Sequence, residues 1–197
     1  MGRDFVGDIV DLVRIHHIEI LTLSSSKGVM PVSSSIPVAI AGITPENTGL
    51  MGDFRGPEFG RKFLEFLRVG DLGVYALDGG KAVAHLWAKT YSRENEDIEG
   101  YFRLREGEAI IHYGFVDEKY RGKNIFPLML TVLCTKLFGE RNISLIYVFV
   151  ERENIPSLRG LRKVGFAVSR ERLYFPLYQK LKARLNAVRA PKVSPRP

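Results

Sequence analysis

The residues of this chain that could do chemistry begin with a short basic loop between two apolar segments. Residues 121–124 read RGKN and follow the apolar run EAIIHYGFV. If they join a strand to a helix, two positive side chains surround the unpaired N–H groups of the first helical turn. Gly122 lets the backbone approach a ligand closely, and Asn124 tolerates left-handed backbone angles. Such a loop can cradle phosphate oxygens, but a solvated turn can have the same composition.

Neither of the common phosphate-binding motifs is present in this loop. The GxxxxGKS/T spacing of a P-loop is missing, and so is the GxGxxG spacing of a dinucleotide-binding turn. By itself the loop therefore does not decide between an anion site and a solvated turn. The segment that follows the next strand supplies the additional signal.

Two spaced motifs resemble those of the GNAT acyltransferase superfamily, whose members bind acetyl-CoA or another acyl-CoA. In that superfamily Q/R-x-x-G-x-G/A opens a long helix, and N-x-x-A/S-x-x-x-Y/F-x-K-x-G-F follows the next strand. Here residues 121–126 read RGKNIF, and residues 154–166 read NIPSLRGLRKVGF after the strand-like segment SLIYVFVE. The resemblance covers residues 109–170 and implies the GNAT-like acyl-CoA N-acyltransferase fold.

Three positions depart from the superfamily pattern. Asn124 replaces the central glycine of the first motif, which is compatible with the motif if this position needs a left-handed backbone. Phe126 stands where glycine or alanine is common, and its ring either reshapes the pyrophosphate site or packs against the protein. In the second motif Leu161 replaces the usual aromatic residue, tyrosine, and has no proton to give.

The resemblance also implies which residues bind acyl-CoA. Backbone groups at the end of the first parallel strand would bond to the amide groups of pantetheine, and the loop with the helix start would hold the pyrophosphate. Two polar residues of the second motif would lie near the pantetheine end. The full set is Phe115, Val116, Arg121, Gly122, Lys123, Asn124, Ile125, Phe126, Asn154 and Ser157.

Acyl transfer to an amine needs a base, because a free alkylammonium ion keeps most of its protons near neutral pH. We assign this role to His112, which lies four residues before Val116 and would share its face by strand alternation. Members of the superfamily often carry Glu or His at that offset. An ordinary imidazole pKa of ~6.5 suits a base at neutral pH. The alternative is that His112 is a structural histidine of a buried strand.

The acid and the oxyanion donor are less clearly marked. Tyr147, on the second strand, is the candidate acid in place of Leu161, although a CoA thiolate can also leave without one. A backbone N–H near Val116 is the natural donor to the oxygen of the tetrahedral intermediate. His85 and Trp87 alternate onto one face of a hairpin strand, where they either line an acceptor pocket or pack.

The segments around these residues predict an α/β chain (an α+β mixed sheet) with helices on both faces. Strand signals occur in HHIEILTLS, around residues 37–41, on both sides of the Asp78-Gly79-Gly80 turn, and in EAIIHYGFV, SLIYVFVER and FAVSRERLYFPLY. Helical signals occur in GPEFGRKFLEFLRVGD, NIFPLMLTVLCTKLFGER and NIPSLRGLRKVG, with a further candidate at residues 6–15. Apolar strands that alternate with helices indicate parallel neighbours in the middle of the sheet.

The composition predicts one domain over residues 1–178 and a basic tail over residues 179–197. The tail holds six of the 29 basic residues and no acidic ones, which leaves 23 basic against 22 acidic residues elsewhere. The charge therefore favours a solvated tail over a nucleic-acid arm. The single cysteine, Cys134, excludes an internal disulfide and favours a reducing, cytoplasmic setting, where we expect a buried thiol. No metal site is expected, since adjacent His16 and His17 would face opposite ways on a strand.

These observations predict an N-acyltransferase that uses acetyl-CoA or another acyl-CoA on the amine of a small molecule. The alternative, suggested by Asn124 and Leu161, is a catalytically inactive acyl-CoA-binding or scaffold protein of the same fold. No apolar run reaches the ~18 residues of a membrane span, so no membrane partner is expected. A homodimer is compatible with the sequence, but nothing in it demands one.

Overall fold

The computed structural model describes residues 16–51, 55–56, 58–92 and 102–174. The predicted helix at 6–15, the part of the closing-strand segment beyond Tyr174, and the basic tail at 179–197 lie outside these residues. The proposed division into a domain at 1–178 and a tail stays a prediction.

The described strands and helices follow the predicted order. The strands are β1 (His16–Ser24), β2 (Ala39–Gly42), β3 (Leu72–Asp78), β4 (Lys81–Thr90), β5 (Glu108–Val116), β6 (Leu145–Glu151) and β7 (Ala167–Tyr174). The α-helices are α1 (Glu58–Arg68), α2 (Ile125–Glu140) and α3 (Ile155–Val164), and short 3-10 helices lie at Pro45–Met51 and Glu118–Tyr120.

One mixed sheet contains the seven strands of the described residues, in the order β2-β3-β4-β5-β6-β1-β7. Its central pair, β5 and β6, is parallel, and the other neighbours are antiparallel. The mixed sheet with parallel neighbours in its middle is therefore confirmed. The β3–β4 hairpin turns at Gly79 and Gly80, with φ of 56° and 84°, and the positive angles explain why glycine occupies both positions.

The first strand of the described residues, β1, lies between β6 and β7 and pairs antiparallel with both. Its alternating apolar residues place Leu21 and Leu23 in the main core. The sequence pattern predicts this strand but not its neighbours, because the pattern records burial and carries no information on pairing partners far along the chain. β1 thereby joins the parallel centre of the sheet to its far edge.

Helices cover both faces of the sheet, as predicted. On one face, α2 and α3 bury Met129, Leu133 and Leu161 in the larger core, where each such side chain stabilises the fold by about 1.5–3 kcal/mol. On the other face, α1 buries Phe63 against Trp87 in a smaller aromatic cluster. Cys134 is fully buried in α2, and burial raises the pKa of its thiol, which agrees with the expected inert cysteine.

None of the helices in the described part of the chain combines the length and apolar character needed to cross a bilayer. Over the same residues, no cluster of three or more His, Cys, Asp and Glu side chains could hold a metal ion.

Candidate active site

A gap opens between the two parallel strands at the centre of the sheet. β5 and β6 pair only over residues 108–111 and 145–148. β5 then continues to Val116 and β6 to Glu151 without further pairing between them. Carboxyl ends of parallel strands are where open α/β sheets most often bind ligands. The two strands are therefore separated at their carboxyl ends.

A bulge in β5 accounts for the point at which the strands part. Trp87 pairs with His112 and His85 pairs with Phe115, so β5 carries one more residue than β4 across this interval. Tyr113, within the interval, has φ of 47°, an uncommon value for a residue other than glycine. An extra residue bends the bulged strand and increases its twist. β5 therefore turns away from β6 directly after its last paired residue.

The bulge also corrects the predicted placement of His112. Strand alternation would put His112 and Val116 on the same face, but the extra residue shifts the alternation by one. The His112 ring lies 5.1 Å from the ring of Phe66, on the face covered by α1. Val116 packs against the larger core on the opposite face. The prediction that these two residues share a face is wrong.

His112 is held by a carboxylate that the sequence analysis did not identify. Its Nε2 lies 3.0 Å from Oδ2 of Asp71, and the side chains are 26% and 1% exposed, respectively. An ionised carboxylate can only accept a hydrogen bond, so the imidazole donates Nε2–H and keeps its lone pair on Nδ1. This arrangement fixes the ring and leaves Nδ1 as its hydrogen-bond acceptor. No local sequence signal marks Asp71, because its burial depends on the folded neighbours.

Tyr147 shares a sheet face with His112 but its hydroxyl is already engaged. Tyr147 of β6 pairs with Ile110 of β5, and Ile110 lies two residues before His112 on that strand. The hydroxyl donates to Oε1 of Glu108 at 3.0 Å. Burial and this carboxylate both raise the pKa of Tyr147, so the group stays protonated at neutral pH. As a candidate acid it would have to exchange its present acceptor for the leaving group.

The basic loop leads into α2 with its backbone amides unpaired. Within the described residues, none of the N–H groups of residues 122–126 donates a hydrogen bond, while Arg121 N–H donates to the Glu118 carbonyl. Asn124 caps α2 with φ of 58° and ψ of 21°, the left-handed backbone that its place in the motif requires. Gly122 has φ of 77°. The loop therefore presents five consecutive donors at the positive end of a 16-residue helix.

Contacts from two other segments hold this loop in place. The Lys123 carbonyl accepts hydrogen bonds from Ser35 N–H and Ser34 Oγ, both at 3.0 Å. Lys163 Nζ donates to Oδ1 of Asn124 at 2.7 Å, which ties the second motif to the first. Ser34 and Ser35 lie in the segment between β1 and β2, and no motif in the sequence marks them as partners of the loop.

The remaining residues of the predicted acyl-CoA set have specific structural partners. Arg121 Nε donates to the Val116 carbonyl at 3.2 Å, at the end of the open strand. Asn154 caps α3, its Oδ1 accepting from Ser157 N–H at 3.2 Å. The Phe126 ring packs against Gly160, where an added Cβ would lie 2.8 Å from it. Phe126 therefore contacts the protein, and Gly160 provides the space.

His85 and Trp87 differ in what they contribute. Trp87 is fully buried and packs against Phe63 at 5.0 Å, as the packing interpretation expects. His85 is only 1% exposed, and neither ring nitrogen has a hydrogen-bond partner in the described structure. Burial, followed by the positive charge of Arg55, lowers the pKa of His85 to about 3. Its ring stacks on Phe115 at 6.1 Å, so a neutral imidazole lies beside the open strand.

The chain is similar to a protein family and to several solved structures. The family model described as "Acetyltransferase (GNAT) family" matches residues 45–166, which include both motifs and the strands of the gap. A tandem GNAT protein from the clavulanic acid biosynthesis pathway is 17% identical, with a TM-score of 0.58. That match covers 87% of this chain and 57% of the other. The comparison with curated proteins found no match.

Two smaller proteins match along most of their length. A protein described as a "predicted acetyltransferase" from Clostridium acetobutylicum, solved with acetyl-CoA, is 17% identical with a TM-score of 0.52, over 73% of this chain and 98% of that one. A ribosomal-protein-alanine N-acetyltransferase from Brucella melitensis biovar Abortus is 18% identical with a TM-score of 0.51, over 68% and 94%. By contrast, this chain spans 57%, 55%, 63% and 57% of the first four structures compared. At identities this low, the TM-scores show a shared fold alone.

Proposed function

Because the chain belongs to the acetyltransferase (GNAT) family, we propose that it transfers an acetyl or other acyl group from acyl-CoA to the amine of a small molecule. The observation that carries this proposal is the conjunction of the gap after residue 111 of β5 with the five unpaired N–H groups at residues 122–126. A diphosphate needs the second feature, and an extended pantetheine arm needs the first.

The described residues fit acyl-CoA. The amides of residues 122–126, with the side chains of Arg121 and Lys123, would hold the diphosphate at the positive end of α2. Backbone groups of Phe115 and Val116 would bond to pantetheine along the open strand, and Asn154 and Ser157 would flank it from α3. The chemistry that bound acyl-CoA supplies is a thioester: the amine nitrogen bonds to its carbonyl carbon, the C–S bond breaks with its electron pair on sulfur, and the amine loses a proton.

His112 is the group that we propose accepts this proton. Its ring is partly exposed and lies where the unpaired part of β5 begins, and its Nε2 is hydrogen-bonded to the buried carboxylate of Asp71. Proton uptake at Nδ1 would place a positive imidazolium beside the buried carboxylate of Asp71. A backbone N–H near Val116 would donate to the oxygen that develops negative charge.

The residues that suggested an inactive protein do not favour that alternative in the structure. Asn124 has the left-handed backbone that the loop needs. Leu161 is fully buried in the larger core, so its side chain stabilises the fold. Neither position removes a group that the binding loop requires.

Calorimetry with acetyl-CoA and CoA, followed by thiol release with an amine library, tests the proposal. We expect both cofactor forms to bind and at least one amine to give an acylated product, identified by mass spectrometry. Absence of binding at millimolar acetyl-CoA would remove the proposal.

A further inference from the structure

Two positive side chains lie against aromatic rings on the α1 side of the gap, and one of these rings, Phe115, also faces Arg121 of the basic loop at 5.9 Å. The guanidinium carbon of Arg55 lies 4.2 Å from the ring centroid of Phe59 and 4.1 Å from that of Phe115. Lys62 Nζ lies 3.9 Å from the ring centroid of Tyr113. We call Arg55 and Lys62 the cation pair. Because Phe115 and Tyr113 belong to the bulged end of β5, the pair borders the gap.

The cation pair lacks negative partners among the residues that the structure describes. Arg55 Nε is buried without a hydrogen-bond partner, and neither Arg55 nor Lys62 forms an ion pair there. The carboxylate of Glu58 is turned toward Gly56, where it would meet an added Cβ, and makes no ion pair with Arg55. Stacking between two rings fixes the plane of a guanidinium but uses none of its N–H donors. Those donors are suited to a planar or tetrahedral anion.

The cation pair adjoins the proposed base. Phe66 contacts both Tyr113, at 5.3 Å, and His112, at 5.1 Å between ring centroids. Lys62 Nζ lies 5.8 Å from the same Phe66 ring. His85, which packs beneath Tyr113 at 5.5 Å, is neutral and offsets no charge. An amine that approaches His112 from the α1 side therefore comes close to the positive charges of Arg55 and Lys62, which lie on aromatic rings.

We infer that Arg55 and Lys62 bind an anionic group of the acceptor, so that the acceptor is an amine that also carries a carboxylate or a phosphate. This inference rests on the proposed function, since it names the acceptor class of the same site. A purely cationic amine would meet like charge at this border, whereas an anionic group on the acceptor would satisfy the unpaired donors.

The test compares matched acceptors in a thiol-release assay with acetyl-CoA. The panel holds amino acids beside their amides, phosphoethanolamine beside ethanolamine, and glucosamine 6-phosphate beside glucosamine. We expect kcat/KM to be about 10- to 100-fold higher for the anionic member of a productive pair, the range given by charge-assisted hydrogen bonds. The carboxylate and phosphate arms identify which anion the site accepts.

Three substitutions then assign the preference to the cation pair. Arg55→Gln and Lys62→Gln should each lower kcat/KM for the anionic member at least about tenfold and leave the neutral member within about twofold. Lys136→Gln, an exposed position on α2, is the matched control and should change neither value. Arg55→Lys keeps the charge and serves if Arg55→Gln fails to fold, as judged by circular dichroism. It should give an intermediate loss because lysine cannot bind an anion in a bidentate manner.

Calorimetry of the same compounds with the CoA-loaded protein separates this inference from the proposed function. If no amine releases thiol but the anionic members bind in an Arg55-dependent way, the inference stands and the proposed function fails. If neutral amines are acylated as well as their anionic partners, the proposed function stands and the inference is overturned. Anionic members that bind no better than neutral ones, in either assay, also overturn it.

Discussion

His112 and Asp71 are 41 residues apart in the chain, yet Nε2 of the histidine lies 3.0 Å from Oδ2 of the aspartate. Asp71 is fixed at the start of the β3 region by its own N–H, which donates to the Phe66 carbonyl at 2.9 Å. The end of α1 therefore positions a carboxylate behind the imidazole that borders the gap. The pair gives His112 an orientation that a histidine packed among apolar residues would not have.

The first prediction concerns this pair as a unit. His112→Gln should lower kcat by about 10²- to 10⁴-fold, the usual contribution of a general base, without changing CoA affinity. Asp71→Asn should lower kcat by about tenfold or more because the ring loses its charged partner. If Asp71 acts through His112, the double variant should be no slower than His112→Gln.

Steady-state kinetics and calorimetry with CoA measure these effects. His17→Gln, at an exposed histidine of β1, is the control and should match the unsubstituted protein. Losses that multiply in the double variant would show that the two residues act independently and would contradict the assignment.

A second prediction concerns the left-handed residue of the basic loop. Asn124→Gly keeps access to positive φ, so CoA affinity should stay within about threefold despite the lost bond to Lys163. Asn124→Val disfavours that backbone and should weaken CoA binding at least about tenfold. Calorimetry with CoA checks both variants. Equal affinities for Gly and Val would mean that the loop does not bind through its backbone.

A third prediction tests the packing of Phe126 against Gly160. Gly160→Ala places a methyl group within 2.8 Å of the ring, so the free energy of unfolding should fall by about 1–3 kcal/mol. Gly139→Ala in α2 is the control, because nothing lies within 4 Å of an added Cβ there. That variant should be neutral or slightly more stable. Urea titration gives both values, and replacement of Phe126 by Leu should restore much of the loss at Gly160.

A fourth prediction concerns pH and His85. Burial, then Arg55, lower the pKa of this imidazole to about 3 in the folded protein, against ~6.5 in an unfolded chain. Between these values the unfolded state binds a proton that the folded state does not. The free energy of unfolding should therefore fall as pH decreases below ~6.5, with His85 contributing up to ~1.4 kcal/mol per pH unit.

Urea titrations of the unsubstituted protein and of His85→Phe between about pH 4.5 and 7 isolate this contribution. His85→Phe should show a shallower dependence on pH, whereas His17→Phe, at an exposed site, should keep the original slope. The same slope in all three proteins would mean that His85 is protonated in the folded state.

Local patterns predicted most elements of the fold because the burial pattern and the turn type depend on residues that are close together in the sequence. β1 occupies HHIEILTLS, and the Gly79-Gly80 turn forms the expected hairpin. Asn124 also has the predicted backbone. These features depend on side-chain size, β-branching and permitted φ angles within a few residues.

Features that depend on distant partners escaped prediction. The bulge at Tyr113 reverses the expected face of Val116 relative to His112. The local signal for it is the isolated Gly114 in EAIIHYGFV, which the strand pattern alone did not use. The carboxylate of Asp71 and the position of β1 between β6 and β7 depend on how helices and strands meet. Pairing of this kind is decided by the assembled core, which a single sequence does not display.

The most direct test of the central claim is an NMR titration of the ¹⁵N-labelled protein with acetyl-CoA. If the loop before α2 and the open strand hold the cofactor, the amide signals of residues 122–126 and 112–116 should shift together, with one affinity. Amides of β7, on the far edge of the sheet, should stay in place. Unchanged signals at residues 122–126 under saturating acetyl-CoA, or no binding at millimolar concentration, would contradict the account.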